Sequence, residues 1–316
     1  MQESLSPPTT SQVAVPERLS NLRVQSPAAR TLRRLLRNRS AQAGLFLLAL
    51  LIFVALFADL IAPYAYDEQI RMRGVRRRDP PCVHVLGCDS AKPQSIMGVD
   101  GNRRDLFSRV VHGSRLSLQV GLATVTIALL IGTLLGAVAG FVGGWVDNVI
   151  MRIMDVFLAF PSLLLAIAVV SVLGTGLINT LLAISLVSIP VYARIVRATV
   201  IGVKEMDYIT ASQALGASQS RVLFTRILPN SLTPLIVQGT LGIATAILEA
   251  AGLSFLGLGA QPPLPEWGLM LGEERNSVFN APHLLIFPGI AIMLTVLAFN
   301  LLGDGLRDAL DPRRKA

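Results

Sequence analysis

The sequence predicts an all-α integral membrane protein with six transmembrane helices, on three observations: a strongly apolar composition, six long and largely uncharged runs, and nearly all the charge in the stretches between them. Hydrophobic residues make up 52% of the 316 and charged residues only 15%, with a mean hydropathy of +0.59. A soluble domain of this length needs far less apolar surface. A helix crosses a hydrocarbon core of about 30 Å with about 20 residues. Runs of this kind are Ala43–Pro63, Leu116–Phe141, Val156–Leu173, Leu177–Tyr192, Leu232–Leu258 and Leu284–Leu302. Lipid offers no partner to an unpaired peptide group, so all six are expected to be helical. The fourth is short, and it lengthens to about Val200 if Arg194 and Arg197 run their apolar stems along lipid. The first is too long for a signal-peptide core and is read as a retained anchor.

Charge orients the bundle. Seven arginines precede the first span, at 18, 23, 30, 33, 34, 37 and 39. An even number of spans puts both termini on one side, which this bias makes the cytoplasm. The chain then divides into a cytoplasmic tail (1–42), a first span (43–63), an extracytoplasmic loop (64–115), a five-helix core (116–303) with a cytoplasmic loop at 194–230, and a cytoplasmic carboxyl tail (304–316). The first twenty-odd residues have too few large apolar groups to order themselves. The 64–115 loop strains the assignment, because it holds ten Lys/Arg, among them Arg71, Arg73, Arg76, Arg77 and Arg78. The charge rule weakens in a loop this long, and placing it inside would invert everything downstream. Within it, Asn102–Gly113 sets Leu106, Val110 and Phe107, Val111 at helical spacing with arginines between, the pattern of an amphipathic helix lying on a membrane surface.

Catalytic and ion-coupled classes fare poorly. Chemistry or proton relay inside a membrane needs ionisable groups deep in the spans, and these spans are nearly empty of them. Asp59 lies near the end of the first, and Glu249 is the other acid well inside an apolar run. All three histidines (84, 112 and 283) fall in loops or at a span edge, so no Ser–His, paired-aspartate or His–Glu metal site is supported. Glu249 has two readings, a pathway or gating group and a hydrogen-bonded structural carboxylate. The net charge of +8 is explained by arginines at membrane ends, and no nucleic-acid partner is expected. Nor is there a Gly-x-x-x-x-Gly-Lys-Ser/Thr phosphate loop, so the chain itself is not expected to bind ATP.

Three further features stand out. Gly132, Gly136 and Gly140 recur every four residues and leave one helix face open to another backbone, from this chain or a second subunit. Cys82 and Cys88, the only cysteines, lie in the outer loop with Gly87 between them; on an oxidising side they close a small ring, and otherwise they are two thiols. Between the fourth and fifth spans, Asp207 is placed to cap a short helix whose Tyr208, Ala211, Ser212 and Leu215 share a face, Gly216 to end it, and Ser218 to cap a second helix running to Leu228-Pro229. A short small-faced helix held between two spans fits a groove of a partner protein, whereas a DNA-reading helix-turn-helix does not fit between membrane anchors.

At this loop the sequence resembles the permease subunits of binding-protein-dependent ABC importers, whose cytoplasmic motif reads Glu-Ala-Ala, three residues, Gly, then Leu-Pro. Thr210-Ala211-Ser212, Gly216 and Leu228-Pro229 match its spacing, with threonine for the glutamate and serine for the second alanine. Leu253 to Gly259, Gln261-Pro262-Pro263, Pro265-Glu266-Trp267-Gly268, Gly101 to Ser117, Gly143-Gly144-Trp145, Phe160-Pro161-Ser162 and the Gly303 to Arg313 end resemble the C-type subunit of the dipeptide/oligopeptide/nickel branch. Residues 71–100 look like an insertion. The resemblance implies the ABC importer permease fold in a prokaryotic cell membrane, among lipid. It also implies partners: a homologous second permease, two cytoplasmic ATPase subunits holding ATP and Mg, an outer solute-binding protein, and no cofactor or catalytic residue in this chain. It makes Asp207, Tyr208, Thr210, Ala211, Ser212, Leu215, Gly216 and Ala217 the ATPase-coupling residues and favours peptides over nickel or another small solute. A stand-alone channel or secondary carrier would need selectivity or coupling groups within the spans.

Overall fold

The computed structural model describes residues 32–71, 75–88 and 93–310; the expected amino-terminal disorder, Arg73 and the 311–313 motif lie outside the described residues. Nine helices of eight residues or more frame the described chain: α1 (Arg39–Leu56), α2 (Leu106–Val142), α3 (Gly144–Leu158), α4 (Ser162–Leu173), α5 (Leu177–Lys204), α6 (Asp207–Ala214), α7 (Gln219–Phe255), α8 (Trp267–Glu274) and α9 (His283–Leu310). Helices α1, α2, α5, α7 and α9 are each long and apolar enough to cross a membrane. Helices α3 and α4 make a sixth crossing only if they count as one broken span.

The expected span over 156–173 is therefore not one rod. Its two parts meet at 94°, because Pro161 has no N–H to donate and disfavours helical geometry at Phe160. Residues 144–155, expected as a connecting segment, are most of α3. The surface helix expected over Asn102–Gly113 is also corrected: from Leu106 onward it is the start of the 37-residue α2, with the Asp105 carboxylate accepting from Ser108 N at 2.8 Å as its cap. At 1.5 Å per residue α2 is about 55 Å long and projects well past a bilayer.

Helix order places both described ends of the chain together. Asn38 Nδ2 donates to Asp308 at 3.1 Å, and antiparallel crossings bring the α2–α3 and α5–α7 connections to the same end. We call this the terminal end. The opposite end carries the described residues among 57–105, and 256–282. There, Cys82 and Cys88 are joined by a disulfide with Cα atoms 5.4 Å apart, and Cys82 and Ser95 exchange backbone hydrogen bonds of 2.8 and 2.9 Å.

Packing inside the bundle uses small residues, while large apolar side chains such as Leu130, Leu134, Ile178 and Met293 stay exposed. Between helices in lipid, close van der Waals contact replaces the hydrophobic drive. The glycine face of α2 meets α5 of this same chain: a Cβ on Gly132 would lie 2.9 Å from the Ile189 carbonyl, one on Gly140 2.9 Å from the Arg197 carbonyl, and one on Gly136 against the Ala193 carbonyl. The short fourth run lengthens as expected, to Lys204, and Arg194 and Arg197 find counter-charges in this chain. Arg194 pairs with Asp155 at 2.6 Å and Arg197 with Asp147 at 2.5 Å, so α3 supplies the counter-charges.

The glycine contact generates a prediction. Gly136→Val must push α2 off the α5 backbone and should destabilise the protein by about 1–3 kcal/mol. Gly202→Ala places its new methyl group in open space, with no heavy atom within 4 Å, and should be neutral or slightly stabilising. Thermal unfolding of both variants in detergent checks the pair; equal midpoints would remove the packing role.

Candidate functional site

At the terminal end α5 and α7 hand the chain to α6. The Lys204 ammonium, at the last residue of α5, donates to the Phe141 carbonyl at 2.8 Å and so ties the end of α5 to the end of α2. The helix cap of α6 is Met206, in extended conformation, and not Asp207 as expected: Asp207 is the first helical residue and makes no side-chain cap. It still lies where a negative charge suits the helix dipole. Ile209 is fully buried with Val203, Val222 and Ile227, and this pins α6 to the ends of the spans. Gly216 has φ +84. Gly216 N and Ala217 N donate to the Gln213 and Ser212 carbonyls at 2.9 and 3.1 Å, which closes the helix end in the manner a left-handed residue permits. Ser218 Oγ then caps α7, accepting from Arg221 N at 3.4 Å, and a π-helical turn over Leu223–Ile227 carries the chain through Pro229 into the span.

The exposed face of this unit is small and uncharged at its centre. Thr210 and Ala211 are exposed, Tyr208 is tied to α7 by Asn230 at 3.4 Å, and Leu215 is 89% exposed. Ser212 and Ala217 are half-buried and line a shallow recess with Gly216 and Arg221. The structure thus brings all eight loop residues onto one short segment, six of them exposed and Ser212 and Ala217 half-buried.

Glu249 lies in α7 beside the break between α3 and α4. Its Oε1 accepts from Ser162 Oγ at 2.8 Å, and its other oxygen receives no hydrogen bond from any described residue. Along the same face of α7 stand Thr245 and Gly252, one helical turn away on either side, and Gln238, three turns away. A polar stripe of this kind on a spanning helix faces a cavity or a partner subunit more readily than lipid.

The opposite end holds an ionic network that the sequence pattern did not disclose. Asp100 Oδ2 accepts from Arg104 Nε and Arg109 Nη1, both at 2.6 Å, and Glu273 Oε2 accepts from the same two arginines at 3.1 Å. Arg109 is 1% exposed. Glu274 accepts from Arg78 Nε at 2.7 Å and from Gly101 N at 2.8 Å. Glu266 caps α8 through Gly268 N and Leu269 N; burial pushes its carboxyl up from the usual range, against the two N–H groups that hold it down. Trp267 Nε1 donates to the Val110 carbonyl at 3.0 Å. The Gly101–Ser117 and Pro265–Gly268 segments, distant in sequence, are clamped together by these contacts. A signal existed: basic residues crowd the first segment, and Glu273 and Glu274 follow the second.

Removing one member of a buried ion network strands the others, at a cost of about 3–5 kcal/mol. Arg109→Met should therefore lower stability strongly, because Asp100 and Glu273 lose a shared cation. Unfolding in detergent checks this. A loss under about 1 kcal/mol would mean that water or Arg104 alone neutralises the two carboxylates.

Comparison with known proteins now adds to this geometry. Residues 132–316 match the family model described as binding-protein-dependent transport system inner membrane component, and residues 26–81 match the N-terminal TM domain of oligopeptide transport permease C. The chain is 46% identical over 291 residues to the dipeptide transport system permease protein DppC of Alkalihalophilus pseudofirmus, covering 92% of this chain and 91% of that one. It is 48% identical over 278 residues to the di/tripeptide transport system permease protein DppC of Pseudomonas aeruginosa (88% and 89%). It is 47% identical over 294 residues to the glutathione transport system permease protein GsiD of Pectobacterium atrosepticum (93% of each). Among solved structures, the MetNI methionine ABC transporter in inward-facing form superposes with TM-score 0.52 at 18% identity, over 64% of this chain and 96% of that one, and it shows the shared fold. On the match over more than half its length and on these relatives, the chain belongs to the binding-protein-dependent transport system inner membrane components, as a multi-pass permease of the C type.

Proposed function

We propose that this chain is one of two homologous permease subunits of an ATP-driven importer that moves di- or oligopeptides delivered by an extracytoplasmic solute-binding protein. The observation that carries the reading is α6, a short helix with a small exposed face, pinned by Ile209 between two spans. The relatives named for dipeptides, di/tripeptides and glutathione cover about nine-tenths of the chain and favour peptide over nickel. Both termini and α6 face the cytoplasm, where two ATPase subunits hold ATP and Mg. Closure of those subunits moves α6; because Ile209 belongs to one buried cluster with Val203 of α5 and Val222 and Ile227 of α7, α5 and α7 follow with it. The pathway between the two permeases then opens to one side or the other.

The coupling role has a direct test. Ala211→Arg overfills the partner groove and brings a charge that the interface must desolvate, while Gly216→Val forces a β-branched residue to φ +84. Both variants should insert normally. Transport in reconstituted vesicles should fall by about tenfold or more, and the loaded binding protein should no longer stimulate ATP hydrolysis. Normal transport by Ala211→Arg at normal abundance would end the coupling assignment.

Glu249 is proposed to line the pathway and to attract the ammonium group of a passing peptide with its unpartnered oxygen. Glu249→Gln keeps an acceptor for Ser162 and removes the charge. Peptide uptake should fall by about fivefold or more, a coupling of about 1 kcal/mol, with stimulated ATP hydrolysis retained. Unchanged uptake would make Glu249 a structural acceptor for Ser162.

A further inference from the structure

Four arginines at the opposite end are exposed and make no ion pair among the described residues: Arg71, Arg76, Arg77 and Arg103. Backbone contacts gather them. The Asp100 carbonyl accepts both Arg78 N at 3.2 Å and Arg103 N at 3.1 Å, so the tips of two turns meet at one oxygen, and Ile70 N donates to the Arg103 carbonyl at 2.8 Å. Of the acids in these turns, Asp67 and Glu68 are exposed and make no ion pair with them among the described residues, Glu68 accepting from Ala65 N at 3.4 Å, and three others serve other groups. Asp100 serves buried Arg104 and Arg109, Asp79 accepts from Arg76 N at 2.7 Å, and Glu274 holds Arg78. Two of the tip residues, Arg78 and Arg103, also have φ +62. That conformation suits glycine or asparagine, and arginine tolerates it only under constraint.

We infer that this arginine surface is a docking site for an acidic face of the solute-binding protein. The inference rests on the importer reading and adds which surface of this chain receives that partner and by what chemistry. A protein surface fits better than lipid headgroups. Membrane-surface cations come with apolar or aromatic neighbours that enter the bilayer, and the tips here are flanked by Asn102, Gly101, Asp79 and Pro80. The exposed Ile96 lines a recess with Ile61, Pro63 and Phe107 at the end of α1, and the exposed Val85 stands in the turn closed by the disulfide. The same surface accounts for the excess of basic residues in a loop that the charge rule would keep poor in them: an outer acidic partner is met by outer cations. Charges at such a rim speed encounter and set salt dependence more than they set the bound state.

The test uses the whole transporter in nanodiscs, with ATP hydrolysis followed as the concentration of its solute-binding protein is raised. Arg76→Glu, Arg77→Glu and Arg103→Glu combined should raise the half-stimulating concentration about tenfold at low salt, with the maximal rate kept, and the difference should shrink at about 0.5 M salt as the charges are screened. A second variant, Arg77→Gln with Arg103→Gly, relieves the left-handed strain and so guards against misfolding; it should shift the same way by a smaller factor. Unchanged half-stimulating concentrations in both variants would overturn the docking surface and leave the importer reading standing. A shift seen only in discs of anionic lipid and absent from phosphatidylcholine discs would also overturn it, in favour of lipid headgroups. Failure of the binding protein to stimulate the unaltered complex would overturn the importer reading and this surface with it.

Discussion

The contact between α2 and α5 is the constraint on which the other parts depend. Their backbones approach along Gly132, Gly136 and Gly140, and Tyr192, 2% exposed, fills the space between Gly132 of α2 and Gly242 of α7. Three spans are thereby held at fixed separation. The amino end of α2 carries Arg109 and its carboxylates, and the carboxyl end of α5 leads into α6. A stiff pair therefore runs from the ionic clamp at one end to the small exposed helix at the other. Any side chain at the glycine positions would loosen the pair that joins the two.

Charge is arranged so that this pair stays apolar in its middle. Arg194, half-exposed, and Arg197 lie near the terminal end, and α3, bent away from α4 at Pro161, brings Asp155 and Asp147 to meet them. At the opposite end Arg104 and Arg109 are buried against Asp100 and Glu273. Burying such groups costs several kcal/mol each unless they are paired and hydrogen-bonded. Their pairing gives register more than net stability: α8 can seat on α2 only where the charges match.

Much of this was legible in the residues, and the failures have physical causes. The six apolar runs, the glycine spacing, the left-handed Gly216 and the Ser218 cap are local signals, read within about a turn of helix. What the glycine face touched was not local, and only the structure places α5 against it. Arg104 and Arg109 looked like the wet side of a surface helix because arginine at helical spacing is most often solvated; Asp100 is a local partner, but Glu273, which completes the network, stands more than 160 residues away. The break at Pro161 was visible as a residue but not as a 94° turn, since proline is also tolerated inside α5, α7 and α9. Asp207 failed as a cap because Met206 already occupies the extended position before the helix, one residue earlier than the acid.

The loop at the terminal end differs in chemistry from the motif it resembles, and the structure says what that difference requires. With threonine at 210 in place of a glutamate, the centre of the exposed face has no carboxylate to pair with a partner's cation. What it offers instead is apolar: Met206, Tyr208 and Phe224 are each about half or more exposed, and Leu215 almost fully. On the proposed reading, the surface that receives α6 must then be a groove matched in shape and largely apolar, since an unpaired charge buried there would be left without a partner. Force passed through such a contact depends on fit and not on one ion pair. Ile209 makes the fit count, because its buried side chain lets the exposed face move only together with the ends of α5 and α7.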